Sequence, residues 1–181
     1  FKTLEWVKKL KPKIYKISSG LITHIPLIKK IASFNKTVII STGTANEAEI
    51  QEAVNSFTQT GNKSLVLMHC VSSYPCNLEN INFPRLEKLK TMTKEIGYSG
   101  HYSGVDDAFA AITLGASYIE KHFTTDKDLP GRDNKFAILP DEFYSISKFR
   151  DNYLKMSLDR GLDLQECEKD IYNNYRGRWS K

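Results

Sequence analysis

The sequence predicts an α/β fold, a partial TIM (β/α)8 barrel of five strand–helix units, with three further units expected upstream. Three observations predict it. Short β-branched runs alternate with amphipathic helical patterns, which leaves an open doubly wound sheet or a closed barrel. The runs are nearly continuous in apolar residues, as suits strands buried on both faces of a parallel sheet. Each run ends in a small polar cluster, so the functional groups ring one mouth, as they do at the C-terminal face of a barrel. A doubly wound sheet would gather function at one switch point, and no Gly-x-Gly-x-x-Gly follows any run.

The strands are read at Lys13–Ile17, Thr37–Ile40, Ser64–Met68, Ile96–Tyr98 and Ser117–Glu120. Ile25, Ile28 and Ile31 give the first intervening helix its stripe, opened near His24. The second opens at Thr44-Ala45-Asn46-Glu47, a capping-box spacing, and sets Ile50, Val54 and Phe57 at helical intervals. Leu86, Leu89 and Met92 mark a third helix, and Val105, Phe109, Ile112 and Leu114 a fourth. Asp106 and Asp107 stand in that helix's first turn, where the dipole favours negative charge. Pro140-Asp141-Glu142 opens a long helix striped by Phe143, Ile146, Phe149 and Tyr153. Residues 1–160 are expected to form the barrel portion and residues 161–181 a short helical tail.

With 40% hydrophobic and 26% charged residues, the chain has the composition of a folded soluble protein. No apolar run approaches the ~20 residues that span a bilayer, so no membrane association is expected. Phe1-Lys2-Thr3-Leu4-Glu5-Trp6 has neither an initiator Met nor a signal pattern. Leu4, Val7 and Leu10 share one face, and the start reads as the middle of a helix in a longer protein. Three cysteines, Cys70, Cys76 and Cys167, are too few for a disulfide framework and fit a reducing, cytoplasmic setting. The net charge of +5 fits an anionic ligand or a solvated lysine surface. Lysine-rich stretches without interleaved aromatics argue against nucleic acid.

Ile96-Gly97-Tyr98-Ser99-Gly100-His101, Gly115-Ala116, Ile119-Glu120-Lys121-His122-Phe123-Thr124 and Leu129-Pro130-Gly131-Arg132-Asp133 together resemble the N-acetylneuraminate (sialic acid) synthase family. So do Tyr15-Lys16-Ile17-Ser18-Ser19-Gly20, Ser41-Thr42-Gly43, and His69-Cys70 followed by Ser73-Tyr74-Pro75. Each block alone is weak; their ordered combination from Tyr15 to Phe143 is strong. The resemblance implies a TIM barrel that condenses phosphoenolpyruvate with an N-acylated amino-sugar aldehyde, N-acetylmannosamine or a relative. C3 of the enolpyruvate joins the aldehyde carbon, water attacks C2, and phosphate leaves by C–O cleavage. Another phosphoenolpyruvate-dependent sugar-acid synthase and a non-catalytic sugar- or anion-binding barrel stand as alternatives. Family members often carry a following antifreeze-like domain. Nothing here resembles it, and Tyr175-Arg176-Gly177-Arg178-Trp179 is a candidate native end. A homodimer stays open for the full-length protein. The chain by itself is expected to be inactive, because five parallel strands leave two open edges.

The resemblance assigns a divalent metal, Mn2+ with Mg2+ or Co2+ as alternatives, to His101 and His122; isolated, each would read as a hydrogen-bonded rim histidine. Lys16 interrupts an apolar strand, which is costly unless its ammonium is paired, and its family counterpart holds an anionic group of phosphoenolpyruvate. Ser19, Ser41, Ser72 and Ser99 offer hydroxyls at strand ends. Singly they are turn serines, and together they form a candidate anion cradle. Tyr74 and Asp133 match residues that contact substrate, although a Tyr-Pro turn and plain loop chemistry would look similar. Glu120 is expected to face the same mouth and is a catalytic candidate with Lys16 and Tyr74. His69 and Cys70 point to opposite faces of a strand, so Cys70 reads as a small buried hydrophobe. Many members have Asp where this chain has Gly100, which removes a carboxylate near the metal, and Glu where it has Leu21. A relative making legionaminic or pseudaminic acid is therefore also considered.

Overall fold

The computed structural model describes residues 2–177. Each predicted strand is present, with ends displaced by one or two residues. The elements run α1 (Lys2–Lys9), β1 (Ile14–Ile17), α2 (Ile25–Ala32), β2 (Thr37–Ser41), α3 (Glu47–Thr58), β3 (Leu65–Cys70), α4 (Pro84–Lys90), β4 (Glu95–Gly100), α5 (Asp106–Thr113), β5 (Tyr118–Lys121), α6 (Pro140–Met156) and α7 (Lys169–Asn174). The five strands are all parallel and lie in chain order, β1-β2-β3-β4-β5. Crossovers that each step one strand along, right-handed as parallel units are, put the connecting helices α2, α3, α4 and α5 on the same face, so no switch point arises. The sheet also curls. Lys16 on β1 and Glu120 on β5, the two outermost strands, form an ion pair at 3.2 Å. Four inter-strand steps of about 4.8 Å would hold these side chains apart in a flat sheet. The described residues thus form five consecutive units of a TIM-type barrel.

Strand parity sorts the side chains into two environments. Tyr15, Ile17, Val38, Ile40, Leu65, Leu67, Ile96 and Tyr98 face the helices and join Ile28, Ile50, Phe57, Leu86 and Leu89 in the main core. Ile39, Val66 and Met68 turn the other way and pack with Tyr118 inside the curl. The same parity carries Lys16, Ser41, Cys70, Ser99 and Glu120 inward at the strand ends, where they line one cavity.

Several local readings change. The capping box of α3 uses Asn46 and Glu49, not Thr44 and Glu47. Asn46 Oδ1 accepts the Glu49 N–H at 3.0 Å, and Glu49 Oε2 accepts the Asn46 N–H at 2.8 Å. Thr44 instead takes a left-handed φ of 62° in the preceding turn, which moves the helix start onward. His24 does cap α2, accepting the Leu27 N–H at 3.1 Å. Leu10 falls outside α1 and is exposed, and Phe143 of the predicted α6 stripe is exposed while Ile146 is buried. On α5 the buried face is Asp107, Ala108, Ala111 and Ile112. Asp107 is therefore not a solvated dipole carboxylate but an interior charge.

The chain divides into two compact units, Phe1–Arg150 and Asp151–Lys181. Within the second, a 3-10 turn at Glu166–Glu168 leads into α7, and Gln165 and Glu168 form a capping box. Residues 178–181, which include the end of the candidate native terminus, lie outside the described residues. Among those described, no helix is long and apolar enough to cross a membrane.

Phe57 has no exposed surface and sits where α3 meets the sheet. Phe57→Ala should cost about 3–5 kcal/mol, read as a lowered midpoint in denaturant unfolding. A loss below about 1 kcal/mol would contradict this placement of the core.

Candidate active site

The cavity at the C-terminal ends of the strands has a volume of about 370 Å3 and is lined by residues from all five strand–loop junctions. Lys16 enters from β1. Its Nζ lies 3.2 Å from Glu120 Oε2, and Glu120 Oε1 accepts the Ser99 hydroxyl at 2.7 Å. The ammonium on the apolar strand is thus paired, yet Lys16 and Glu120 remain 32% and 46% exposed, so water or an anion can reach both.

Ser19, Ser72 and Cys70 converge on Gly43. A Cβ at Gly43 would overlap the Ser72 hydroxyl and lie within 2.9 Å of both Ser19 Oγ and Cys70 Sγ. Ser19 Oγ accepts the Gly43 N–H at 3.0 Å and donates to Cys70 Sγ at 3.7 Å. Ser41 Oγ is buried on the same wall without a protein partner among the described residues. A buried hydroxyl left unpaired costs about 1–3 kcal/mol, which an incoming acceptor would recover. These groups form a cradle of hydroxyls and a backbone N–H beside a lysine, the chemistry of an oxyanion site.

His101 follows β4 and is held from two directions. Its Nδ1 lies 2.8 Å from the Val71 carbonyl, and its own carbonyl accepts the Cys76 N–H at 2.9 Å. A backbone carbonyl at Nδ1 makes that nitrogen the protonated one, so Nε2 is the nitrogen left to meet Cys70 or an incoming ligand. His122 follows β5, and its carbonyl accepts the Ile138 N–H at 2.8 Å. The two imidazole centroids are 5.3 Å apart. Tyr74 lies over His101 at 4.2 Å and meets His122 edge-on at 5.9 Å, with Phe136 closing the cluster. Asp133 stands off the cavity lining in an exposed 3-10 turn, with Oδ2 3.5 Å from His122 Nδ1. Among the described residues, no three His, Cys, Asp or Glu side chains gather tightly enough to hold a metal ion. A cation here could take two imidazoles from this chain and fill its other positions with water or substrate oxygens, a donor set that suits a borderline divalent ion.

Burial opposes charge on His101, but its hydrogen bonds to Cys70 and the Val71 carbonyl outweigh this and raise its pKa. Burial, reinforced by the neighbouring His101 charge, lowers that of His122. The Cys70 thiol would be pushed up by burial, yet hydrogen bonds with His101 and Ser19 bring it below its ordinary value. Cys70 is buried as expected, but it is a polar member of the cavity wall and not an inert hydrophobe. His69 points the other way, packing edge-on to Phe83 with Nε2 2.6 Å from the Ile81 carbonyl.

Sequence reasoning missed one feature of the site's support. Lys121 Nζ is buried and lies 3.0 and 2.9 Å from the two carboxylate oxygens of Asp107. Parity could have found it. With Glu120 facing the mouth, Lys121 must face the helices, where an ammonium needs a carboxylate partner.

The NeuB family profile matches residues 1–158. The N,N'-diacetyllegionaminic acid synthase of Campylobacter jejuni is 43% identical over 143 residues, 77% of this chain and 43% of that protein. The N-acetylneuraminate-9-phosphate synthase of Drosophila melanogaster is 35% identical over 172 residues, 94% of this chain and 46% of that one. The chain thus spans less than half the length of these relatives. The crystal structure of the N-acetylneuraminic acid (sialic acid) synthetase from Leptospira borgpetersenii serovar Hardjo-bovis, in complex with citrate, superposes with a TM-score of 0.84. It is 33% identical, and the match covers 98% of this chain and 62% of that one. A phospho-2-dehydro-3-deoxyheptonate aldolase from Thermotoga maritima, 15% identical with a TM-score of 0.67 over 80% of this chain and 46% of that one, shares the fold. On the match across most of its length and on these identities, the chain belongs to the NeuB family.

Proposed function

We propose that this chain supplies the anion- and metal-binding wall of a synthase that condenses phosphoenolpyruvate with an N-acylated amino-sugar aldehyde. The product is a nonulosonic acid, and phosphate leaves by C–O cleavage. One observation supports this above the others: Lys16, the Gly43 cradle and the His101–His122 pair face a single cavity. The relatives, legionaminic, pseudaminic and N-acetylneuraminate-9-phosphate synthases, favour the same reaction class.

In this reading Lys16 and the hydroxyls of Ser19, Ser41, Ser72 and Ser99 bind the carboxylate and phosphate oxygens of phosphoenolpyruvate. The Lys16–Glu120 pair is half-exposed and therefore weak, about 0.2–1 kcal/mol, so a multiply charged anion displaces Glu120. Once C3 has bonded to the aldehyde carbon, the freed carboxylate accepts one proton from the water that adds at C2 and passes it to the new alkoxide. The C2–O bond then breaks, its electrons and the second water proton leave with phosphate, and C2 becomes a ketone. Tyr74 presents its ring to the sugar, and Asp133 accepts hydrogen bonds from sugar hydroxyls. His101 and His122 would hold a divalent cation, Mn2+ or alternatively Mg2+ or Co2+, which polarises the aldehyde carbonyl towards attack by C3 of phosphoenolpyruvate.

The direct test supplies the protein, at its full natural length, with phosphoenolpyruvate, Mn2+ and a panel of acceptors. N-acetylmannosamine, its 6-phosphate and diacetamido hexoses cover the relatives' range. Acceptor-dependent phosphate release is expected, abolished by a chelator and restored by Mn2+; no release from any acceptor would refute the assignment. Glu120→Gln should lower kcat by roughly 10^2–10^4-fold, the usual range for a lost general base. An unchanged kcat would remove Glu120 from the chemistry. Gly43→Ala places a methyl among Ser19, Ser72 and Cys70. It should raise KM for phosphoenolpyruvate by at least about tenfold, the equivalent of one ~1.4 kcal/mol contact, with thermal unfolding little changed. A KM within about twofold of the parent would place the anion elsewhere.

A further inference from the structure

The buried ion pair behind the mouth joins the flanks of both imidazoles. Lys121 immediately precedes His122, and its Nζ also donates to the carbonyl of Tyr102, which immediately follows His101, at 2.7 Å. Its carboxylate partner, Asp107, is packed against the residue on the other side of His101. A Cβ at Gly100 would overlap Asp107 Oδ2. The Asp107 carboxylate further accepts the Tyr98 hydroxyl at 3.1 Å and the Ala108 N–H at 2.9 Å. The Lys121 and Asp107 side chains are 3% and 0% exposed.

Two sealed charges are a poor choice for stability alone, because desolvation offsets most of their attraction and an apolar pair of similar volume often does as well. What an apolar pair cannot do is fix direction. Lys121 grips three oxygens, and each Asp107 oxygen takes two donors, so the arrangement admits one geometry. That geometry spans from Gly100 and Tyr102, on either side of His101, to the residue before His122. We infer that Asp107 and Lys121 are positioning residues, which lock the ends of β4 and β5 so that the two imidazoles hold their separation and converge on one cation. They touch no substrate and lie behind the sheet. The inference rests on the reading of His101 and His122 as metal ligands.

The test uses the protein at its full natural length and titrates Mn2+ by electron paramagnetic resonance, alongside thermal unfolding. The parent comes first: no Mn2+ binding, or binding untouched by His101→Ala, removes the ligand reading itself and this inference with it. Given binding, an apolar replacement of the network, Asp107→Leu with Lys121→Met and Tyr98→Phe, should remain folded yet bind Mn2+ about 10–100-fold more weakly, the range for lost support around metal ligands. Turnover should fall in kcat with KM for phosphoenolpyruvate held. Tyr98→Phe alone, which removes one hydroxyl, provides a mild second variant and should weaken Mn2+ binding severalfold. If the triple variant folds and holds Mn2+ within about twofold of the parent, the pair is structural only. Should the triple variant not fold, the same result from Tyr98→Phe overturns the proposal.

Discussion

A parallel strand presents successive side chains to opposite faces, and in this molecule the two faces demand different chemistry. Outward residues must fill the core against the helices; inward residues at the strand ends meet solvent and ligand. Everything at the mouth depends on that parity holding in all five strands at once. The pairing of Ser99 with both Cys70 and Glu120 shows it directly, since residues in register share a face. A slip of one residue in β5 would send Glu120 into the apolar layer and Lys121 into the cavity. In β1 the apolar outer pair Tyr15 and Ile17 makes the equivalent slip expensive, because it would turn those side chains out of the main core and put Lys16 into it. The core therefore fixes the site's register without touching it.

The two lysine–carboxylate pairs then divide the electrostatic labour by depth. Lys16–Glu120 lies in water's reach, where an ion pair is worth less than about 1 kcal/mol. It can open when a better anion arrives. Lys121–Asp107 is sealed, and removing either partner would strand a buried charge at a cost of about 3–5 kcal/mol. It cannot open while the protein stays folded. A labile pair in the cavity and a fixed pair behind it suit a site that must exchange anions while keeping its histidines in place.

Much of this was legible in the sequence because strand ends and helix stripes are local signals. Short β-branched runs located all five strands, and the polar clusters following them located the mouth. Other features depended on tertiary neighbours. Asp107 reads as a dipole-favoured first-turn acid until α5 is rotated onto the sheet, and only then does it meet Lys121 and Tyr98. Cys70 reads as a small hydrophobe until the ends of β1 and β4 bring Ser19 and His101 beside it. The α3 cap shifted because Thr44 adopts a left-handed turn, which neighbouring residue types do not announce. Gly100 looked like a lost carboxylate. The structure fills the space beside its Cα with the carboxylate of Asp107, which lies on the helix side of the sheet and is held by Lys121.

Leu21 puts an apolar side chain at the rim of the mouth. It ends the 3-10 turn Ser19–Leu21, is 40% exposed, and cannot exchange a proton. The mouth has a single carboxylate among the described lining residues, Glu120. Its resting contacts are with Lys16 and Ser99, the groups the proposed mechanism assigns to the anionic substrate. In the proposed mechanism binding and base activation would be one event: the anion that takes Lys16 and Ser99 would also release the carboxylate assigned to receive the proton. On that proposal the base would stay neutralised in the empty site, through a lysine and a glutamate placed on the two outermost strands of a curled sheet.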